Sequence, residues 1–253
     1  MTEDKTLQTE GIILRTIDFG DAHRVVSIYT REYGKLDVNA YGCRRPRSKL
    51  AGAMMMFNHV RVELISGPKV DMVREAELLD VFPITDDLFR IAYASLLFEI
   101  VDKMTPLNQK DEAIFFLLLN ALKMFVERNP RGVYIIAACQ FIAASGLQLR
   151  LDRCVVCNKK IDADCSLDVI EGGVVCSRCS INHPPAAQFK MTTRELLDEL
   201  LAFNWKSESH LTLRADDLNF IEKILLAHIH AMLNRPLRSL KFLKQLSTIA
   251  PRA

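Results

Sequence analysis

Cys154-Val-Val-Cys157 is followed, after eighteen intervening residues, by Cys176-Ser-Arg-Cys179. Four thiolates in two Cys-x-x-Cys pairs can close on one tetrahedral zinc ion, because each two-residue spacer turns tightly enough to aim both sulfurs at one point. The separation falls in the range of a four-cysteine ribbon. Between the pairs stand Ser166-Leu-Asp-Val-Ile170, Glu171-Gly-Gly173 and Val174-Val175, which read as strand, glycine turn and strand. The alternatives are disulfides or scattered core cysteines. Met1-Thr-Glu-Asp-Lys5 holds no apolar core of a signal peptide, and a chain in a reducing compartment does not keep disulfides. With all four ligands from protein no position stays open for water, so the expected metal, Zn2+, is structural.

Upstream, residues 1–82 read as strands. Residues 9–15 are β-rich, Phe19-Gly20-Asp21 is a turn signal, and 24–29 follow as a second strand. Glu32-Tyr-Gly-Lys35 makes a tight connection, with Gly34 suited to positive φ. Residues 35–41 and 57–65 alternate apolar and polar, Ser66-Gly67-Pro68 is a turn, and 70–81 complete the series. Five short strands without intervening helices suggest a small closed barrel of the oligonucleotide-binding kind (OB-fold), though a five-stranded sandwich fits nearly as well.

From Pro83 the apolar spacing turns helical. Residues 87–104, 111–126 and 132–145 read as helices, the last two apolar on all sides and therefore central in a bundle. The longest uncharged run, 132–149, is a buried helix in this reading and not a membrane span. Beyond the cysteines, Thr192-Thr-Arg-Glu195 reads as a capping box opening a helix over 193–203. Asp216 or Asp217 is expected to cap a helix reaching about Leu233, and 237–246 form a last short one. The expected class is α+β multidomain: an OB-fold over 1–82, a helical domain in two parts (83–150 and 185–253), and an inserted four-cysteine zinc ribbon over 151–184.

The net charge is only +2, so affinity for nucleic acid would have to come from a local patch. The sharpest one is Arg44-Arg45-Pro46-Arg47-Ser48-Lys49. Between two barrel strands, Arg44, Arg45, Arg47 and Lys49 would track a phosphate backbone, with Tyr33, Tyr41 or Phe57 offering faces to bases. Taken alone, such a run also suits a solvated loop, and aromatics more often belong to a core. A second stretch runs from Arg235 to Lys244. Arg238, Lys241 and Lys244 share a face there, with Leu237, Leu240, Phe242 and Leu243 packing the other; this equally describes an ordinary amphipathic helix. Met54-Met-Met-Phe57 reads as the entry of a buried strand, with an adaptable contact surface as the alternative. Cys139 lies in an apolar run and reads as core, Cys43 and Cys165 carry no assigned chemistry, and His183 is a conceivable competing ligand. His228 and His230 lie on different faces of one helix and make no second metal site. No phosphate-binding Gly-Lys loop, nucleophile elbow, His-Glu-x-x-His motif or acidic cluster occurs, so the chain is expected not to be an enzyme.

Spread along the chain, in order, stand Glu10-Gly-Ile-Ile-Leu-Arg15, Tyr29-Thr-Arg-Glu-Tyr-Gly-Lys-Leu36, Gly42, Ser48-Lys-Leu50, Gly146-Leu-Gln-Leu-Arg-Leu151, the first Cys-x-x-Cys pair, and Arg235-Pro-Leu-Arg-Ser-Leu-Lys-Phe-Leu243. In these pieces the chain resembles the RecO family of bacterial DNA repair and recombination mediators. The resemblance implies an OB-fold, a helical bundle and an inserted zinc ribbon. It further implies binding of single- and double-stranded DNA and annealing of complementary strands. The implied partners are RecR, the acidic C-terminal tail of single-stranded DNA-binding protein and, indirectly, the RecA recombinase loaded onto coated DNA. The location implied is cytoplasmic and nucleoid-associated, with no membrane partner. RecO-like sequences often carry Glu where Asp21 stands, and some lack the cysteines, which fits a structural metal. The rival classes are a zinc-ribbon nucleic-acid enzyme and an interaction scaffold that does not bind DNA.

Overall fold

The structure, a computed structural model, describes residues 6–67, 70–181, 187–206 and 214–249. Pro68 of the expected turn and His183 lie outside the described residues. In chain order the elements are β1 (Thr6–Phe19), β2 (His23–Thr30), β3 (Gly34–Ala40), the one-turn helix α1 (Leu50–Ala53), β4 (His59–Ile65), β5 (Met72–Asp80), α2 (Leu88–Met104), α3 (Glu112–Glu127), α4 (Pro130–Ala144), β6 (Cys165–Asp168), β7 (Gly173–Val175), β8 (Ala187–Phe189), α5 (Met191–Ala202), α6 (Ala215–Leu233) and α7 (Arg238–Ile249). They divide into two compact units, one of Met1–Arg131 with Leu237–Ala253, the other Gly132–Pro236. The helices expected as a bundle are shared between them.

In the first unit the five long strands close into a barrel in the order β1-β2-β3-β5-β4. This is the OB-type barrel and not the sandwich. Closure depends on β1, which is 14 residues long. Its first half pairs with β4, from Thr6↔Ile65 to Ile12↔His59, and its second half with β2, from Gly11↔Thr30 to Phe19↔His23. The strand bends where it changes partner, at a bulge between Ile13 and Arg15. There the Ile13 N–H donates to the Asn58 carbonyl and the Ile13 carbonyl accepts from the Phe57 N–H, both at 3.0 Å. Gly11 sits at the crossing, where a Cβ would lie 2.4 Å from Ile28 Cγ2. The last seam is parallel, Asn39↔Met72, supported by Asn39 N–H donating to Asp71 O at 2.9 Å. Alternate residues then point inward: Val26 and Ile28, Leu36 and Val38, Val60, Val62 and Leu64 form the barrel core.

The methionine run is not a strand entry. Residues 54–57 turn between α1 and β4, with Met54 buried in the barrel, Met55 exposed, and Phe57 at φ 74°. The Phe57 ring packs edge-on against Phe98 of α2 at 5.1 Å.

Two aspartates start the helices behind the barrel. Asp87 accepts from the Arg90 N–H at 2.7 Å, and Asp111 from the Ala113 N–H at 2.9 Å, so both are N-caps. A polar knot pins α2 to the barrel: Asp102 accepts from Arg15 Nε at 2.8 Å and from the Ser27 hydroxyl at 2.9 Å, and its backbone carbonyl accepts from Lys35. Glu99, one turn earlier, receives the first free N–H groups of α7, from Arg238 at 3.0 Å and Ser239 at 2.7 Å. Burial raises the Glu99 carboxyl, but those N–H groups and Lys103 outweigh it and hold it below its ordinary value.

Pro130 occupies the first turn of α4, a helix that belongs to the second unit from Gly132 onward. The helix stops at Gly146, φ 70°, where the Leu147 N–H reaches back to Ile142 O at 3.0 Å. Val133, Ile135, Ile136, Phe141 and Ile142 are buried around it, as its all-round apolar character required. The capping box is absent. α5 begins at Met191, before the threonines, and its first N–H is taken at 3.0 Å by Asp164, 27 residues upstream. Asp216 and Asp217 lie inside the first turn of α6, where their charge complements the positive end of the helix dipole without capping; the N-cap is Arg214. Among the described residues no helix is long and apolar enough to cross a membrane.

Two outcomes follow. At Gly34 φ is +68° and a Cβ would lie 1.9 Å from Gln109 O. Gly34→Ala should therefore cost at least about 3 kcal/mol in denaturant unfolding; a loss under about 1 kcal/mol contradicts the packing at that turn. Because the Glu99 carboxyl is depressed in the fold, its contribution is full above the unfolded-state pKa and fades as pH falls through the folded one. The stability gap between wild type and Glu99→Gln, measured by unfolding across pH, should be widest near neutrality and close in acid.

Candidate metal centre and nucleic-acid interface

In the second unit β6 and β7 pair from Ser166↔Val175 to Asp168↔Gly173. The Asp168 carboxylate closes their turn by accepting from the N–H groups of Ile170 and Glu171, at 3.0 and 3.1 Å, and Gly172 takes φ 78°. β8 adds a third strand that the sequence did not suggest. Cys176 follows β7 directly. The first cysteine pair is tied to the hairpin by Val155 N–H to Val174 O at 2.9 Å. Each pair makes a tight knuckle: Asn158 N–H returns to Cys154 O at 2.9 Å, and Cys179 N–H to Cys176 O at 3.0 Å.

These turns bring the sulfurs of Cys154, Cys157, Cys176 and Cys179 all within 4.8 Å of one another. Cys157 Sγ and Cys176 Sγ are 3.8 Å apart. That is too long for a disulfide. It matches the edge of a tetrahedron with metal–sulfur bonds of about 2.3 Å, which is about 3.8 Å. A thiolate quartet of this shape suits zinc, and all four sulfurs come from the chain. Burial pushes the Cys154 thiol up, yet the backbone N–H groups of Cys157, Cys176 and Val156 more than reverse this and hold it at about 6. The N–H of Cys179 likewise lowers Cys176, whereas hydrogen bonding to Cys176 first, and to Cys157, pushes Cys179 up to about 12. The quartet cannot all ionise unaided, and a bound cation removes that conflict.

The other three cysteines are core. Burial pushes Cys139 up to about 12 and Cys165 to about 11, and Cys43 is enclosed in the barrel. His228 is buried with Nε2 2.7 Å from Leu147 O, and His230 is exposed.

In the first unit, Arg44, Arg45, Arg47 and Lys49 are exposed on the loop between β3 and β4. Arg44 is tied to the β1–β2 turn: its N–H donates to Ala22 O at 3.1 Å, Nη1 to Gly20 O at 3.3 Å, and Nε lies 3.3 Å from Asp18. Among the described residues Arg45, Arg47 and Lys49 pair with no acid. Tyr41 stands beside this loop, 47% exposed. Tyr33, also exposed, lies in the β2–β3 turn at the far end of β3, which spans seven residues, or about 20 Å. The structure therefore separates the two tyrosines. Phe57 is only 6% exposed and offers no face.

Sequence reasoning missed Phe19 and His23. The three rings of Phe19, His23 and Tyr41 touch one another, with centroids 5.3, 6.1 and 5.2 Å apart. Only strand register could have revealed this, since Phe19↔His23 and Arg24↔Ala40 bring the three positions together. In the second basic stretch, Lys241 and Lys244 are exposed while the Arg238 backbone is spent on Glu99. Phe242, expected to pack inward, is 39% exposed.

Known proteins corroborate both halves of the chain. The family model described as "Recombination protein O N terminal" matches residues 1–82, and "Recombination protein O C terminal" matches 85–241. The DNA repair protein RecO of Symbiobacterium thermophilum is 31% identical over 243 residues, covering 94% of this chain and 96% of that protein. Those of Pelotomaculum thermopropionicum and Halalkalibacterium halodurans are 30% and 25% identical, covering 94% and 96% of this chain and the same shares of those proteins. The chain belongs to the RecO family of DNA repair and recombination proteins.

Proposed function

We propose that this chain is a non-enzymatic recombination mediator whose barrel binds DNA through the loop carrying Arg44, Arg45, Arg47 and Lys49. The observation that carries the reading is that Arg45, Arg47 and Lys49 pair with no acid among the described residues, on a loop held at one end of a closed OB-type barrel. Phosphates of single- or double-stranded DNA would replace solvent around these side chains and release counterions. Holding two strands while screening their repulsion would speed annealing. Family membership supports the finer assignments: RecR as partner, capture of the acidic tail of single-stranded DNA-binding protein, and assistance to RecA loading on coated DNA, in a cytoplasmic, nucleoid-associated setting. Such a tail requires an apolar seat, and the second unit offers a cleft lined by Ile142, Leu149, Leu197, Leu201, Ile224 and Leu225. In this reading residues 1–82 are the DNA-binding domain and 151–184 a zinc ribbon between the two parts of the helical domain.

The metal assigned to Cys154, Cys157, Cys176 and Cys179 is structural zinc. It would cross-link two knuckles whose hairpin has little core of its own, contributing to folding and not to chemistry.

Changing Arg44, Arg45 and Arg47 together to Glu should abolish most DNA binding near physiological salt. It should also flatten the dependence of log K on log salt by about 2 for single strands, from about 0.7 per lost phosphate contact. An unchanged slope contradicts the placement on this loop. Purified protein should carry a single zinc that Cys154→Ser with Cys157→Ser removes, with lower thermal stability. A metal-free wild type that melts like the double variant contradicts the assignment.

A further inference from the structure

Phe19 ends β1, His23 opens β2 and Tyr41 follows β3, so three neighbouring strands each deliver one ring to the same end of the barrel. The rings form a closed triangle with mutual tilts of 39°, 69° and 73°. Phe19 is 39% and Tyr41 47% exposed, so this cluster is not a satellite core. His23 is fixed from behind: its Nδ1 accepts the Gly42 N–H at 2.9 Å, which puts the ring proton on Nε2. Arg44, the first cation of the basic loop, is bonded to Gly20 and Ala22 of the turn joining Phe19 to His23. The acid at the edge, Asp18, is already countered by Arg24 at 2.9 Å and Arg44 at 3.3 Å. Asp21 in the same turn is exposed and sets one negative charge against the four cations of the loop.

Exposed aromatic rings beside a cationic loop combine the two contacts an unpaired strand requires: faces for bases and charges for phosphates. A duplex can use only the second, because its bases are already stacked on one another. We propose that Phe19, His23 and Tyr41 form a base-stacking platform that makes this end of the barrel selective for single-stranded over double-stranded nucleic acid. The inference rests on the basic-loop reading above and adds the ring contacts that discriminate between the two forms. Tyr33 has no part in it.

The test uses the full chain and fluorescence anisotropy with a labelled oligothymidylate and a duplex of equal length. Phe19→Ala with Tyr41→Ala should weaken single-strand binding about 10- to 100-fold, since a stacked base is typically worth about 1–3 kcal/mol. Duplex binding should hold, and Phe19→Tyr with Tyr41→Phe should restore single-strand binding. Equal loss on both substrates, or no loss on the single strand, overturns the platform. The Arg44, Arg45 and Arg47 charge variant, run in parallel, separates the two readings. If it weakens both substrates while the ring variant fails to discriminate, the loop stands and the platform falls. If it weakens neither, the loop reading falls and the crosslinks decide the platform. Those crosslinks are made with wild-type protein and 5-iodouracil-substituted single strands, so they do not depend on any variant folding. Adducts at Phe19, His23 or Tyr41 support the platform, and adducts confined elsewhere overturn it.

Discussion

The bend in β1 is the constraint on which the barrel depends. One strand pairs with β4 over its first half and with β2 over its second, and it must bend sharply between the two for the sheet to curl into a closed ring. The bulge between Ile13 and Arg15 frees Ile13 to bond residues 57 and 58, and Gly11 lets the crossing strands approach. With β1 shared, β3 and β5 need only the pair at Asn39↔Met72 to close the ring. The antiparallel pairing of β2 with β3, which ends at Arg24↔Ala40, brings the β1–β2 turn beside the loop after β3. Arg15, Lys35 and Ser27 of the barrel all bond Asp102, so the helix behind the barrel is oriented by charge-assisted bonds as well as by packing.

The second unit meets its constraint differently. β6, β7 and β8 are only three or four residues each, too short to bury a core of their own. What organises them is the quartet of sulfurs at the end of the hairpin, with the knuckle turns bonded to β7. Asp164, just before β6, caps α5, so the ribbon also starts the helix that follows it. A structural metal at the quartet would therefore stabilise more than its own loop.

Much of this was legible in the sequence because burial imposes periods. The alternation in residues 57–65 and the apolar surface of residues 133–144 reproduce the barrel face and the central helix. The cysteine spacing gave the quartet, and Gly34 its positive φ, because each pattern leaves few geometries. What escaped depended on partners distant in the chain. The start of α5 is set by Asp164, which no local capping pattern can anticipate. Met54 to Phe57 turn because β1 needs the backbone of residues 57 and 58, a demand unrelated to their hydrophobicity. The aromatic triangle exists only through register, and Phe242 is exposed although its helical spacing suggested packing.

The central claim, that a chain of the RecO family acts here as a mediator on coated DNA, is tested most directly by annealing. Complementary single strands coated with the cognate single-stranded DNA-binding protein would be mixed with and without this chain, and the coat protein used either intact or without its acidic tail. The account predicts acceleration that requires the tail. Acceleration on bare strands alone, or none on either, would contradict it.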